Sequence, residues 1–137
     1  MRVIIDTNIL IVILPAHSKY HRISKKLRDG EVGLIVSFDI ILEYEELLKI
    51  RYSISSIDEE LKDIINSPFT ELTTVYYNWN LINVDPDDNK FVDCAIASQA
   101  DYIVTNDIHF DILSQIPFPK VEVITIQQFE NILFDQS

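Results

Sequence analysis

The sequence predicts an α/β fold in which helices cover a central parallel sheet. Short apolar, β-branched runs recur along the chain and alternate with segments whose apolar residues have helical spacing. Strands that are separated by helices pair in parallel, because a parallel connection needs a crossover. At 137 residues the chain has the length of one domain, and we expect residues 1–137 to form a single domain with one core.

Buried strands are predicted wherever a short apolar run ends in polar residues. The runs are RVII at 2–5, GLIVS at 33–37, DYIVTND at 101–107 and VEVITI at 121–126. The segment ELTTVYYNWNLINV alternates in character and predicts a strand near 72–76, with a helix as the alternative.

Helices are predicted between these strands. Ser18 introduces KYHRISKKLRDG, where a helix would stop at Gly30, and from Asp39 the segment DIILEYEELLKIRY has one apolar stripe. Ser55 or Ser56 would cap a helix in SSIDEELKDIINSP. Further helices are expected in KFVDCAIASQA, HFDILSQI and QQFENILF.

Composition excludes several classes of protein. With 11 Lys and Arg against 22 Asp and Glu, the net charge of -11 excludes binding to nucleic acid through an overall positive field. The lone Cys94 excludes an internal disulfide and favours a cytoplasmic location. Asp6 interrupts the longest apolar stretch, so we expect neither a signal peptide nor a membrane helix, which needs about 20 apolar residues.

Acidic residues dominate the second half of the chain. Residues 69–137 hold only Lys90 and Lys120 as bases against 11 acids. These acids either keep the surface soluble or converge on a cation.

Several acids follow the ends of predicted strands, which favours a cation site over acids that only keep the surface soluble. Asp6 and Asp107 follow apolar strands, Glu43 lies six residues after Ser37, and Asp88 begins a helix that leads into a strand. Ligand sites in parallel sheets form at the carboxyl ends of strands, so these acids can face one edge. Carboxylates brought close together repel unless a cation neutralises them, and oxygen ligands suit Mg²⁺ or Mn²⁺.

Other chemistries lack support in the sequence. The histidines (His17, His21, His109) and Cys94 do not have zinc-ligand spacing, and no glycine-rich phosphate loop or G-x-S-x-G motif is present. A divalent ion held by carboxylates lowers the pKa of bound water and stabilises charge on a phosphodiester. An ion held by these acids is therefore compatible with phosphodiester hydrolysis.

Each acid also has an ordinary structural interpretation. Asp6 and Asp107 could cap the elements that follow them, and Glu43 could lie on a solvated helix face. The DPDDN segment around Asp88 is a good turn and cap sequence in any fold.

The order of these motifs resembles the PIN-domain proteins. The resemblance is carried by IIDTNIL, VSFDIILEYEELL, DPDDNKFVDCAIASQADYIVTND and VITIQQFENIL. It covers nearly the whole chain, and the DPDD to VTND block is more specific than DTN. It implies a three-layer α/β/α sandwich around a central parallel sheet. It further implies an Mg²⁺- or Mn²⁺-dependent endoribonuclease of the VapC-like type, the toxin of a toxin–antitoxin pair, acting on RNA, often as a homodimer and held by a small antitoxin protein.

By that resemblance, Asp6, Glu43, Asp88 and Asp107 match the family's catalytic, metal-binding acids. Asn8 and Thr105 match polar residues that support them. Within the DPDD cluster and just after it, other acids compete with Asp88 for the third position; they are Asp85, Asp87 and Asp93. Glu45 and Glu46 compete less strongly with Glu43, because they lie at other angles on the helix.

Two other functions stay open from the sequence. The scarcity of bases makes a non-catalytic PIN-fold module that binds RNA or a protein plausible. A receiver-type domain phosphorylated on Asp6 is disfavoured, because DTN lacks a second Asp and neither an early acid pair nor a Lys after a late strand is present.

Overall fold

The computed structural model describes residues 1–52 and 55–135, and the side chains of residues 55 and 56 are not described. The strands are β1 Arg2–Ile5, β2 Gly33–Val36, β3 Glu71–Leu72, β4 Tyr102–Val104 and β5 Val123–Ile124. The α-helices are α1 Thr7–Ile13, α2 Arg22–Arg28, α3 Phe38–Arg51, α4 Ser55–Ile65, α5 Asn89–Ser98 and α6 Ile126–Phe134. Pro86–Asp88 and Ile108–Gln115 form 3₁₀ helices.

All five strands form one parallel sheet in the order β3-β2-β1-β4-β5. Helices flank this sheet, and the fold is the predicted PIN-like α/β/α sandwich. Because β1 is the central strand, its apolar residues Val3, Ile4 and Ile5 are fully buried. The carboxyl ends of β1, β2 and β4 therefore lie side by side at one edge of the sheet.

The helices bury the faces that their apolar spacing predicts. In α3, Ile40, Tyr44 and Leu48 are fully buried, and Ser37 caps the helix by accepting a hydrogen bond from the Ile40 amide at 3.3 Å. After α2, Gly30 has φ +77, a conformation that few other residues adopt. The predicted stop of this helix at glycine is confirmed.

Several boundaries differ from the prediction. The sequence patterns predict no element over residues 7–13, where α1 forms, and the helix expected from Ser18 begins only at Arg22. β3 has two residues rather than a strand over 72–76, and β5 is shorter than 121–126 because Thr125 already caps α6. The predicted cap at Ser55 or Ser56 lies outside the described side chains. Edge strands bury less apolar surface, so their sequence specifies their length weakly.

Among the described residues, no helix is both long and apolar enough to cross a membrane. Cys94 is buried and free, as expected for a lone cysteine.

Candidate functional site

Asp6 lies at the centre of the acidic sheet edge because it directly follows β1. Ile5 pairs with Val104 in the parallel register, so the next residues, Asp6 and Thr105, are neighbours. The Thr105 hydroxyl donates a hydrogen bond to Asp6 Oδ2 at 2.7 Å. Although Asp6 is the N-cap residue of α1, its side chain makes no capping hydrogen bond. The hydrogen bond that holds this carboxylate comes from Thr105, and the Asn8 amide at the start of α1 adds a weaker interaction that lowers the pKa of Asp6.

The environment of Asp6 disfavours the charged form of its side chain. Only 5% of the residue is exposed, and burial raises the pKa of its carboxyl. The Thr105 hydroxyl and the Asn8 amide lower that pKa, whereas the charges of Glu43 and Asp107 raise it further. The charges of two other predicted acids therefore act on Asp6.

Glu43 reaches the same edge from the second turn of α3. Its Oε2 accepts a hydrogen bond from the Thr7 hydroxyl at the start of α1. Its Oε1 accepts one from Lys90 Nζ at 2.6 Å, in an ion pair whose side chains are 26% and 21% exposed. Glu43 is therefore directed inward and is not part of a solvated helix face.

Lys90 is a residue that the sequence analysis did not single out. It lies on the first turn of α5, and its Nζ is also 4.0 Å from Asp87 Oδ1. Burial alone lowers the pKa of Lys90, but the hydrogen bond to Glu43 and the nearby carboxylates raise it overall. Lys90 thus places one positive charge beside the acids.

Asp88 ends the 3₁₀ helix that precedes α5 and is 9% exposed. Its Oδ2 is buried without a hydrogen-bond partner in the described chain. Burial and the charges of Asp85, Asp107 and Asp6 raise the pKa of Asp88 to about 7, while His109 opposes this rise. An oxygen in this position is suited to a cation that the protein itself does not supply.

Asp107 has the capping role that its sequence context allows. Its Oδ1 accepts a hydrogen bond from the His109 amide at 2.9 Å and caps the 3₁₀ helix Ile108–Gln115. Its own amide donates to Thr105 Oγ1 at 3.0 Å. The carboxylate nevertheless lies close enough to raise the pKa of both Asp6 and Asp88.

The competing acids separate clearly in the structure. Asp85 lies next to Asp88, and Asp87 is exposed near Lys90. Asp93 is directed elsewhere, because its Oδ1 accepts a hydrogen bond from the Trp79 amide at 3.0 Å. Glu46 faces the cleft together with Glu43, whereas the surface that Glu45 lines is a different one.

Three of the four predicted acids, Asp6, Glu43 and Asp88, therefore line one open cleft. Its lining residues are Asp6, Thr7, Asn8, Glu43, Glu46, Leu47, Ile50, Asp85, Asp87 and Asp88. Asp107 lines a different pocket, but its charge acts on Asp6 and Asp88 and raises the pKa of both. Thr105 holds Asp6 as a supporting residue would, and the Asn8 side chain is exposed at the rim.

His109 is the functional candidate that the sequence analysis missed. The spacing of the histidines along the chain does not match that of zinc ligands, so the sequence does not mark His109 as a ligand. The fold nevertheless brings one ligand atom from each of Asp85, Asp88 and His109 within 4.8 Å of one another. The only trace in the sequence is its position two residues after Asp107, which the strand end already marked.

This donor set fits a divalent metal ion. Several carboxylates of like charge share one edge and repel one another, and the buried Asp88 Oδ2 has no hydrogen-bond donor among the described residues. Oxygen ligands of this kind are those that hard divalent ions prefer. The residues that could hold the ion are Asp6, Glu43, Asp85, Asp88, Asp107 and His109.

A family comparison identifies the class of protein that this fold and site define. The family model described as "PIN domain" matches residues 2–109. The chain therefore belongs to the PIN-domain family. None of the curated protein sequences matches this chain.

Two solved structures share the fold. One is VapBC2 from Rickettsia felis bound to a DNA fragment from its promoter, with TM-score 0.64 and 17% identity over 91% of this chain and 98% of that one. The other is PAE2754 from Pyrobaculum aerophilum, with TM-score 0.61 and 14% identity over 99% of this chain and 91% of that one. At these identities the likeness concerns the fold.

Proposed function

We propose that this protein is a metal-dependent endoribonuclease and the toxin component of a toxin–antitoxin pair. The observation that carries the proposal is the buried Asp88 Oδ2, which has no hydrogen-bond partner among the described residues and lies near the charges of Asp85, Asp107 and Asp6. Membership of the PIN-domain family and the shared fold with a VapBC complex support it. The proposed ion is Mg²⁺ or Mn²⁺, and the substrate is RNA.

When bound, the ion supplies a water of lowered pKa and offsets charge on the scissile phosphate. The residues of the chain prepare the edge for it. Thr105 fixes one oxygen of Asp6, and Thr7 and Lys90 fix both oxygens of Glu43. Asp6 and Asp88 are buried, where the effective dielectric constant is lower than in water. Their attraction for a cation is therefore stronger than at an exposed surface.

The charge of the protein gives the ion a second role. A chain with net charge -11 repels a polyanion, and the cleft is lined by several further acids. A bound divalent cation reduces this repulsion where the RNA must approach. We therefore expect RNA binding at the cleft to require the metal.

The test is cleavage of RNA by the purified protein with Mg²⁺ or Mn²⁺, compared with Asp6→Asn. We expect the variant to lose cleavage by about 100-fold or more, because it removes the central acid of the set. Asp63→Asn, at an exposed position on α4, is the matched control and should cleave as the wild type does. Equal cleavage by the wild type and Asp6→Asn would refute the proposal.

A partner protein and a second copy of the chain belong to the same proposal. Phe38 and Leu42 lie one turn apart on the outer face of α3 and are 68% and 48% exposed, which supports a protein contact there. We expect a small antitoxin to copurify with the chain when the neighbouring gene is co-expressed. Light scattering of the purified chain should give the mass of a homodimer.

The alternative is a non-catalytic PIN-fold module that binds RNA or a protein. One observation favours it: Lys90 already neutralises Glu43, and Asp107 already caps a helix. Calorimetry separates the two functions, since a chain that binds no divalent ion at millimolar concentration cannot be the proposed enzyme.

A further inference from the structure

The His109 ring points one nitrogen into the acidic cluster. Its Nδ1 lies 3.8 Å from Asp88 Oδ2 and 3.4 Å from Asp107 Oδ1. Neither approach has the geometry of a hydrogen bond, and both Nδ1 and Asp88 Oδ2 are buried without a hydrogen-bond partner among the described residues. The ring as a whole is partly exposed, with 37% of the side chain accessible.

Two facing buried atoms without partners are costly unless a third group lies between them. A hydrogen bond would need the two atoms to approach more closely than 3.8 Å. Two ligands of one ion, each bound at about 2.1 Å, lie at most about 4.2 Å apart. The separation of Nδ1 and Asp88 Oδ2 is thus within the span of two ligands on one cation.

The third member of the set is Asp85. One of its carboxylate oxygens lies within 4.8 Å of a ligand atom of Asp88 and of a ring nitrogen of His109, so a small movement completes a set of two oxygens and one nitrogen.

We propose that His109 Nδ1 binds the divalent ion together with Asp88 and Asp85, and that this nitrogen makes the centre prefer Mn²⁺ to Mg²⁺. The inference rests on the proposed function, whose metal it identifies. Mg²⁺ prefers oxygen ligands and gives up its bound water reluctantly, whereas imidazole is a good ligand for transition-metal ions. A purely carboxylate site lacks this means of discrimination.

The first test uses the wild-type protein and Mn²⁺ alone. Electron spin echo envelope modulation of bound Mn²⁺ detects a directly coordinated ¹⁴N of imidazole. We expect this coupling in the wild type and in His17→Asn, which changes an exposed histidine on the loop after α1. We expect it to disappear in His109→Asp, which offers an oxygen in place of the nitrogen.

The second test compares affinities by calorimetry with Mn²⁺ and with Mg²⁺. The wild type should bind Mn²⁺ more tightly by about tenfold or more, and His109→Asp should reduce this ratio to about one while still binding Mg²⁺. The thermal unfolding of the variant without metal reports whether it folds. The nitrogen coupling in the wild-type spectrum tests the proposal even if His109→Asp does not fold.

The outcomes distinguish the inference from the function on which it rests. Mn²⁺-dependent RNA cleavage without nitrogen coupling, or an unchanged Mn²⁺ to Mg²⁺ ratio in His109→Asp, would overturn the role of His109 and leave the nuclease standing. Failure of the wild type to bind either ion at millimolar concentration would overturn both. Nitrogen coupling without RNA cleavage would support the metal site and count against the nuclease.

Discussion

Asp88 should make the metal-free protein less stable as the pH rises. Its pKa is raised from 3.8 to about 7 by burial first and then by Asp85 and the other acids. The folded protein therefore holds this proton more tightly than the unfolded chain does. The stabilisation is fully present below pH 3.8 and is lost as the pH rises through about 7.

The size of the effect follows from the shift. Each pH unit between the two pKa values changes the free energy of unfolding by about 1.4 kcal/mol, so the full shift corresponds to about 4 kcal/mol. From about pH 5.5 to about pH 8 only the upper part of this range is crossed, which gives about 2 kcal/mol. Asp88→Asn carries no titrating group here and should lack this part of the pH dependence.

The assay is urea unfolding of the wild type and Asp88→Asn across this pH range in the presence of a chelator. At each pH, the free energy of unfolding of Asp88→Asn is subtracted from that of the wild type. This difference cancels the contribution of every group that titrates in the same way in both proteins. Asp63→Asn should follow the wild type at every pH. Mn²⁺ at alkaline pH should stabilise the wild type far more than Asp88→Asn, because the ion replaces the lost proton. Parallel pH profiles for the wild type and Asp88→Asn would refute the reasoning.

Two further predictions concern residues around the site and the fold. Lys90→Met should lower the metal-free stability by about 1–2 kcal/mol in urea unfolding, because it leaves Glu43 without its 2.6 Å partner. Mn²⁺ should recover more stability in this variant than in the wild type; an equal recovery would contradict the role of Lys90. Gly30→Ala should cost about 1–2 kcal/mol, since φ is +77 and the added Cβ would lie 2.3 Å from the Phe69 ring. Gly33→Ala, where the nearest atom is at 3.5 Å, is its matched control and should be nearly neutral.

The acids at the sheet edge show how far strand patterns predict a site. The sequence predicts Asp6 as a site residue because it directly follows the apolar run of β1, and parallel pairing of β1 with β4 then places it beside Thr105. Glu43 was predicted from its distance after Ser37 and lies in the same cleft. Their roles as metal ligands stay a prediction, whereas their proximity is a feature of the fold.

Short-range patterns could not predict which neighbours these acids would have. Lys90 contacts a carboxylate 47 positions earlier in the chain, and nothing in the segment DNKF indicates that contact. Asp93 satisfied the same local pattern as Asp88, but α5 turns it toward the Trp79 amide. Asp88 and Asp93 are five positions apart, and their side chains face different neighbours because α5 packs on the sheet in one orientation.

The sequence by itself determined the layered α/β architecture, because the alternation of apolar runs and helical stripes leaves few ways to bury the apolar surface. It also determined that acids follow the ends of the central strands. Only the tertiary structure decided that a lysine neutralises one of these acids and that an imidazole nitrogen faces another. Such contacts join residues distant along the chain through packing, and packing leaves no periodic trace in the sequence.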